Sequence, residues 1–126
     1  MPDRHADGMK LRRRVLGDAH VDAAEANKSG FDEAFQNLIT EGAWGTVWAR
    51  DTISLRERSM LTLALLAATG NVDEIAMHIR ATANTGASPD DVMEALLHVA
   101  VYAGVPRANR AIHIARATYA EMGVEL

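Results

Sequence analysis

Glu74 and His78 stand four residues apart in the stretch Glu74-Ile-Ala-Met-His78, set among alanines. On a helix that spacing is one turn, so a carboxylate and an imidazole project from the same face and can touch. A carboxylate that holds an imidazole in one tautomer makes a proton donor or acceptor tuned near neutral pH. The same residues also fit a structural role. Asn71-Val-Asp-Glu74 has an N-cap residue type with an acid three positions on, so Glu74 can equally serve the helix start.

Composition narrows the classes of function. A chain of 126 residues has the length of one domain, large enough to bury roughly two-thirds of its unfolded surface. A net charge of −4 argues against a nucleic-acid or membrane-surface binder, since those partners need a dominant basic field. The Arg12-Arg13-Arg14 run is expected to be a solvated helix face. With no cysteine, disulfides, thiolate metal sites and thiol redox chemistry are excluded. His5, His20, His78, His98 and His113 show no metal-ligand spacing, so no metal is expected. No apolar run is long enough to span a bilayer, and Met1 to Lys10 does not read as a signal peptide; a cytoplasmic protein is expected.

The elements that must position the Glu–His pair read as helices throughout, so the fold class is all-α, with about six helices. Residues 1–9 read as a disordered N-terminal segment and 10–126 as one domain. A first helix is predicted from about Lys10 to Asn27 and a second from Asp32 to Thr40. A loop-like stretch follows, from Gly42 to Ile53, holding Trp44 and Trp48. Ser54-Leu-Arg-Glu57 reads as a capping box for a helix that ends at Thr69-Gly70. Asn71 opens the next helix, which Gly86 stops. Ser88-Pro89-Asp90-Asp91 is a strong start signal for a helix to Ala103. After Gly104, Pro106 starts a last helix with Ala108, Ala111, Ile112, Ala115, Tyr119 and Met122 as its apolar stripe. Met60 to Ala68 and Val92 to Ala103 are apolar on nearly every side. A helix of that kind has to be covered all round, so a homo-oligomer is expected.

The order of five stretches is similar to the carboxymuconolactone decarboxylase family: Phe35-Gln-Asn-Leu-Ile-Thr40, Ala43 to Arg50, Arg58-Ser-Met-Leu-Thr62, Glu74 to Ala81, and Val101 to Asn109 followed by Ala111-Ile-His113. The resemblance implies an AhpD-like helical fold and a ring-shaped homo-oligomer, a hexamer or trimer. It also implies cofactor-free loss of a ring carboxylate from an unsaturated γ-lactone that keeps an acetate arm, within protocatechuate breakdown. The redox branch of that superfamily has a CxxC pair where this chain has Asn71 and Glu74, which removes a disulfide-reductase role. Two departures stand out: Asp51-Thr52 replaces a proline-glycine pair after Arg50, and His98 stands where glutamine is usual.

That reaction assigns roles. His78 is the expected proton donor, or donor to the lactone oxygen, with Glu74 orienting it. Carboxylates favour the planar fork of arginine, so Arg50, Arg58 and Arg80 are the substrate-binding candidates. Arg58 lies in the first turn of its helix, where a cation gains nothing from the helix dipole. Arg80, two residues from His78, points to another side of its helix. Trp44, Trp48 and Tyr102 are expected either to wall the pocket or to pack the core. His113, which shares a helix turn with Arg110 and Arg116, is either a surface residue or a substrate contact. Two other functions fit the same residues: a non-catalytic oligomeric protein binding small carboxylates, and a decarboxylase of a related unsaturated lactone or β-keto acid.

Overall fold

A computed structural model describes residues 3–126. The described residues contain no strand, and their helices are α1 (Arg4–Leu16), α2 (Asp18–Asn27), α3 (Glu33–Leu38), a π-helical segment (Ile39–Trp48), α4 (Leu55–Thr69), a 3-10 turn (Val72–Glu74), α5 (Ile75–Thr85), α6 (Pro89–Tyr102) and α7 (Val105–Glu121). The fold is all-α. The chain forms two compact units, Met1–Ser54 and Leu55–Leu126.

In the first unit, helix begins at Arg4, within the segment read as disordered; residues 1–2 lie outside the described residues. The reason is a backbone contact that no hydropathy pattern announces. A Cβ on Gly8 would collide with the Thr40 carbonyl oxygen and the Gly45 amide, and a Cβ on Gly45 would collide with the Arg4 carbonyl. Two side-chain-free positions thus let α1 lie directly on the π-helical segment. Asp3 caps α1 by accepting from the Ala6 amide at 3.0 Å. Gly17, at φ 91°, divides what was predicted as one helix from Lys10 to Asn27. The stretch from Gly42 that reads as a loop is helical as far as Trp48, because its two glycines sit inside a wider helix; the Thr46 hydroxyl donates to the Glu41 carbonyl five residues back. Arg12 is buried rather than solvated, since it lies one turn from Gly8 on the face pressed to that segment. Its Nη2 donates to Gln36, while Arg13 pairs with Asp18 and Asp22 and Arg14 is exposed.

The second unit holds the larger core. Leu63 and Ala67 of α4, Ile75 and Ile79 of α5, Val92, Leu96 and Val99 of α6, and Ala108, Ala111, Ala115 and Tyr119 of α7 form one buried cluster. Burying each Leu or Ile stabilises by roughly 1.5–3 kcal/mol. Polar ties set the register. Ser59 and Thr85 share a buried hydrogen bond of 2.7 Å between α4 and α5. Arg56 grips Asp91 through two bonds of 2.7 and 2.6 Å, joining α4 to the start of α6. Asp91 also accepts from the Ser88 amide while Ser88 accepts from Asp91, the predicted capping box. The Arg56 fork and then the Ser88 amide hold the Asp91 carboxyl well below the usual carboxylate range.

Candidate active site

α4 ends where Gly70 turns at φ 76°, and the 3-10 turn then delivers the chain to α5. Asn71 does not cap that turn. Its amide donates to the Thr69 hydroxyl at 2.8 Å, and that hydroxyl donates to the Leu65 carbonyl at 2.7 Å. Glu74 occupies the cap position of α5 but makes no capping bond with its side chain. The structural role the spacing allowed for Glu74 is therefore not taken up, and the carboxylate is left exposed.

One turn on, His78 is only 6% exposed and lies among the inward residues of α5, with Ile75, Ile79 and Thr82. Glu74 lines a largely polar cleft of about 520 Å³ together with Leu66, Gly70, Asn71, Val72 and Asp73. His78 is not part of the cleft lining; it is buried on α5, the helix that Glu74 begins. A smaller apolar cavity of about 80 Å³ between α6 and α7, lined by Val92, Leu96, Ile112 and Tyr119 among others, contains no acid or imidazole. Burial pushes the Tyr119 phenol above its ordinary pKa, so it stays protonated at neutral pH.

The other residues singled out by sequence are dispersed. Trp44 and Trp48 are buried in the first unit with ring centroids 4.9 Å apart, which is core packing there. Arg50 follows them, exposed. Arg58 is half-buried in the first turn of α4. Arg80 reaches across to α7 and pairs through Nη2 with Glu121 at 3.1 Å. Tyr102 is 84% exposed on the outer side of α6, stacked on His98 at 6.1 Å, and walls no closed pocket within the chain. His113 is exposed on α7. None of Arg80, Tyr102 and His113 lines the cleft beside Glu74. Sequence reasoning missed Arg107, whose guanidinium lies against Gly70 in the cleft wall. The proline and glycine before it mark a helix start and give no sign of that contact. Among the described residues no group of three or more His, Asp or Glu side chains is arranged to hold a metal ion. No described helix is long and apolar enough to cross a membrane.

The family model described as carboxymuconolactone decarboxylase matches residues 33–117, which include Glu74, His78 and the cleft. The chain belongs to the carboxymuconolactone decarboxylase family. It is similar to the 4-carboxymuconolactone decarboxylase of Acinetobacter baylyi, with 40% identity over 96% of this chain and 90% of that protein. It is also similar to a nitrosuccinic acid decarboxylase of Metarhizium robertsii, 39% identical over 92% of this chain and 81% of that protein. A 4-carboxymuconolactone decarboxylase of Pseudomonas putida is 48% identical over 33% of this chain and 88% of that sequence. Membership of the family makes this chain a decarboxylating enzyme, a carboxy-lyase.

Proposed function

We propose that the protein converts 4-carboxymuconolactone to 3-oxoadipate enol-lactone and carbon dioxide without a cofactor, in the cytoplasmic breakdown of protocatechuate. The observation that carries this reading is the placement of Glu74 in a polar cleft, one helical turn from a buried imidazole. When the ring carboxylate leaves, its bonding electrons pass through the ring double bond to the lactone carbonyl, so the substrate is its own electron sink. The protein must hold two carboxylates, stabilise charge growing on the lactone oxygen, and return a proton to the ring carbon. His78 supplies the proton or the hydrogen bond to that oxygen; Glu74 orients it from the cleft. Arg58 is the leading arginine for a carboxylate, with Arg50 beside it in rank and Arg80 behind, since Glu121 already engages Arg80.

The working form is a homo-oligomer, hexamer or trimer. Leu61 and Leu65 on α4, and Leu97, Val101 and Tyr102 on α6, are large apolar side chains left exposed in the chain alone. Sedimentation should give a stable oligomer at micromolar concentration; an active monomer would contradict it.

One observation favours a second substrate. The Metarhizium robertsii relative is named for nitrosuccinic acid. Nitrosuccinate and 4-carboxymuconolactone share two carboxylates and an electron-withdrawing group placed to receive the pair released with carbon dioxide. Comparing kcat/KM for the two acids tests the assignment. A clear preference for the lactone is expected, and a preference for nitrosuccinate would transfer the same residues to the second reaction.

A further inference from the structure

Gly70 marks both a turn and a close contact. Its φ of 76° favours glycine, and the Nη1 of Arg107 lies where a Cβ would stand. Arg107 comes from the first turn of α7, whose start is fixed by Pro106. The side chain is exposed and is not itself among the cleft-lining residues, yet its Nη1 lies against Gly70, a glycine of the cleft wall four residues from Glu74.

Arg107 plays neither of two commoner roles for such an arginine. A cation at a helix C-terminus can bond the last carbonyls. Arg107 makes no such bond at the end of α4, where the Leu66 carbonyl accepts from the Asn71 amide and the Ala67 carbonyl from the Gly70 amide. Nor is Arg107 an ion-pair partner like Arg56, held by Asp91, or Arg80, held by Glu121. Among the described residues no acid pairs with it, and its fork is unspent.

The cleft also has an electrostatic problem that a cation solves. Two of its lining residues, Asp73 and Glu74, are carboxylates, which repel an anionic substrate at short range. A di-acid entering there needs a positive group at the wall. We infer that Arg107 binds a carboxylate of the substrate, the one retained through the reaction, and holds it against the Gly70 turn so that the departing carboxylate lies toward α5. The ligand class is a small di- or tricarboxylate. The identity of the reacting acid rests on the proposed decarboxylation; the anion site does not. Arginine rather than lysine suits this task because its planar fork takes both oxygens of one carboxylate.

The test uses the intact protein, as wild type, Arg107→Ala and Arg107→Lys. Calorimetry follows binding of tricarballylate, a saturated tricarboxylate with no electron sink, and a parallel assay follows carbon dioxide release from 4-carboxymuconolactone. Arg107→Ala should weaken tricarballylate binding by roughly 10-fold or more and raise KM for the lactone by a similar factor, with melting temperature unchanged. Arg107→Lys should recover only part of the loss. Equal binding by wild type and Arg107→Ala overturns the inference, as does a wild type that does not bind tricarballylate. A lowered melting temperature with unchanged binding also overturns it and makes Arg107 a helix-end brace. Arg107-dependent binding without any carbon dioxide release upholds the anion site and removes the lactone reading; normal turnover with KM unaffected by Arg107→Ala does the reverse.

Discussion

Glu74 and His78 lie one helical turn apart in opposite surroundings, the carboxylate exposed in a polar cleft and the imidazole buried at 6% exposure. A capping acid would be spent on the backbone, whereas Glu74 makes no capping bond. An acid free at a cleft and an imidazole shielded from bulk water suit proton delivery to a bound anion.

If His78 delivers that proton, His78→Ala should lower kcat by roughly 10²-fold or more. The check is steady-state decarboxylation by a variant whose helical circular dichroism matches wild type. Near-normal turnover would take His78 out of the chemistry.

Arg58 is half-buried at the start of α4, where the helix dipole gives its charge no support. For a carboxylate-binding role, Arg58→Ala should raise KM by about 10-fold or more while the protein stays folded. Unfolding with no separable KM effect would make Arg58 a structural residue.

Asp91 ties α4 to α6, and its carboxyl titrates below the ordinary range because Arg56 and the Ser88 amide favour the ionised form. A depressed folded pKa contributes stability that is present above the unfolded value and disappears as pH falls through the folded one. Asp91→Asn should therefore melt earlier than wild type at pH 7, and the gap should narrow steadily as pH falls below the ordinary carboxylate range. A gap that persists undiminished in acid would show that the ion pair is not its source.

Gly8 meets the Thr40 carbonyl and the Gly45 amide with no room for a methyl group. Gly8→Ala should destabilise by about 1–3 kcal/mol or more, measured by urea unfolding. A neutral substitution would mean that α1 can lift from the π-helical segment without loss.

What the sequence disclosed was set by local signals. Gly70, Gly86 and the Ser88–Asp91 box mark helix ends through chemistry confined to a few residues, and the structure places the ends there. The stripe of α7 was legible for the same reason, with Ala108, Ala111, Ala115 and Tyr119 all buried. Contacts between distant segments were not. Gly8 looks like a helix breaker until Gly45 is known to face it, and Arg12 looks like one of three surface cations until its face is known to be covered. At the site, the Glu74–His78 spacing was visible because it is local. Arg107 was hidden because its meaning depends on Gly70, 37 residues earlier.

The central claim is decarboxylation of a carboxylated lactone by the Glu74–His78 site alone. Its most direct test is carbon dioxide released from 4-carboxymuconolactone by chelator-treated protein, with His78→Ala in parallel. The account predicts catalytic release that chelation does not alter and that the substitution abolishes or slows by roughly two orders of magnitude. Release that stops on chelation, or that proceeds unchanged without the imidazole, would contradict it.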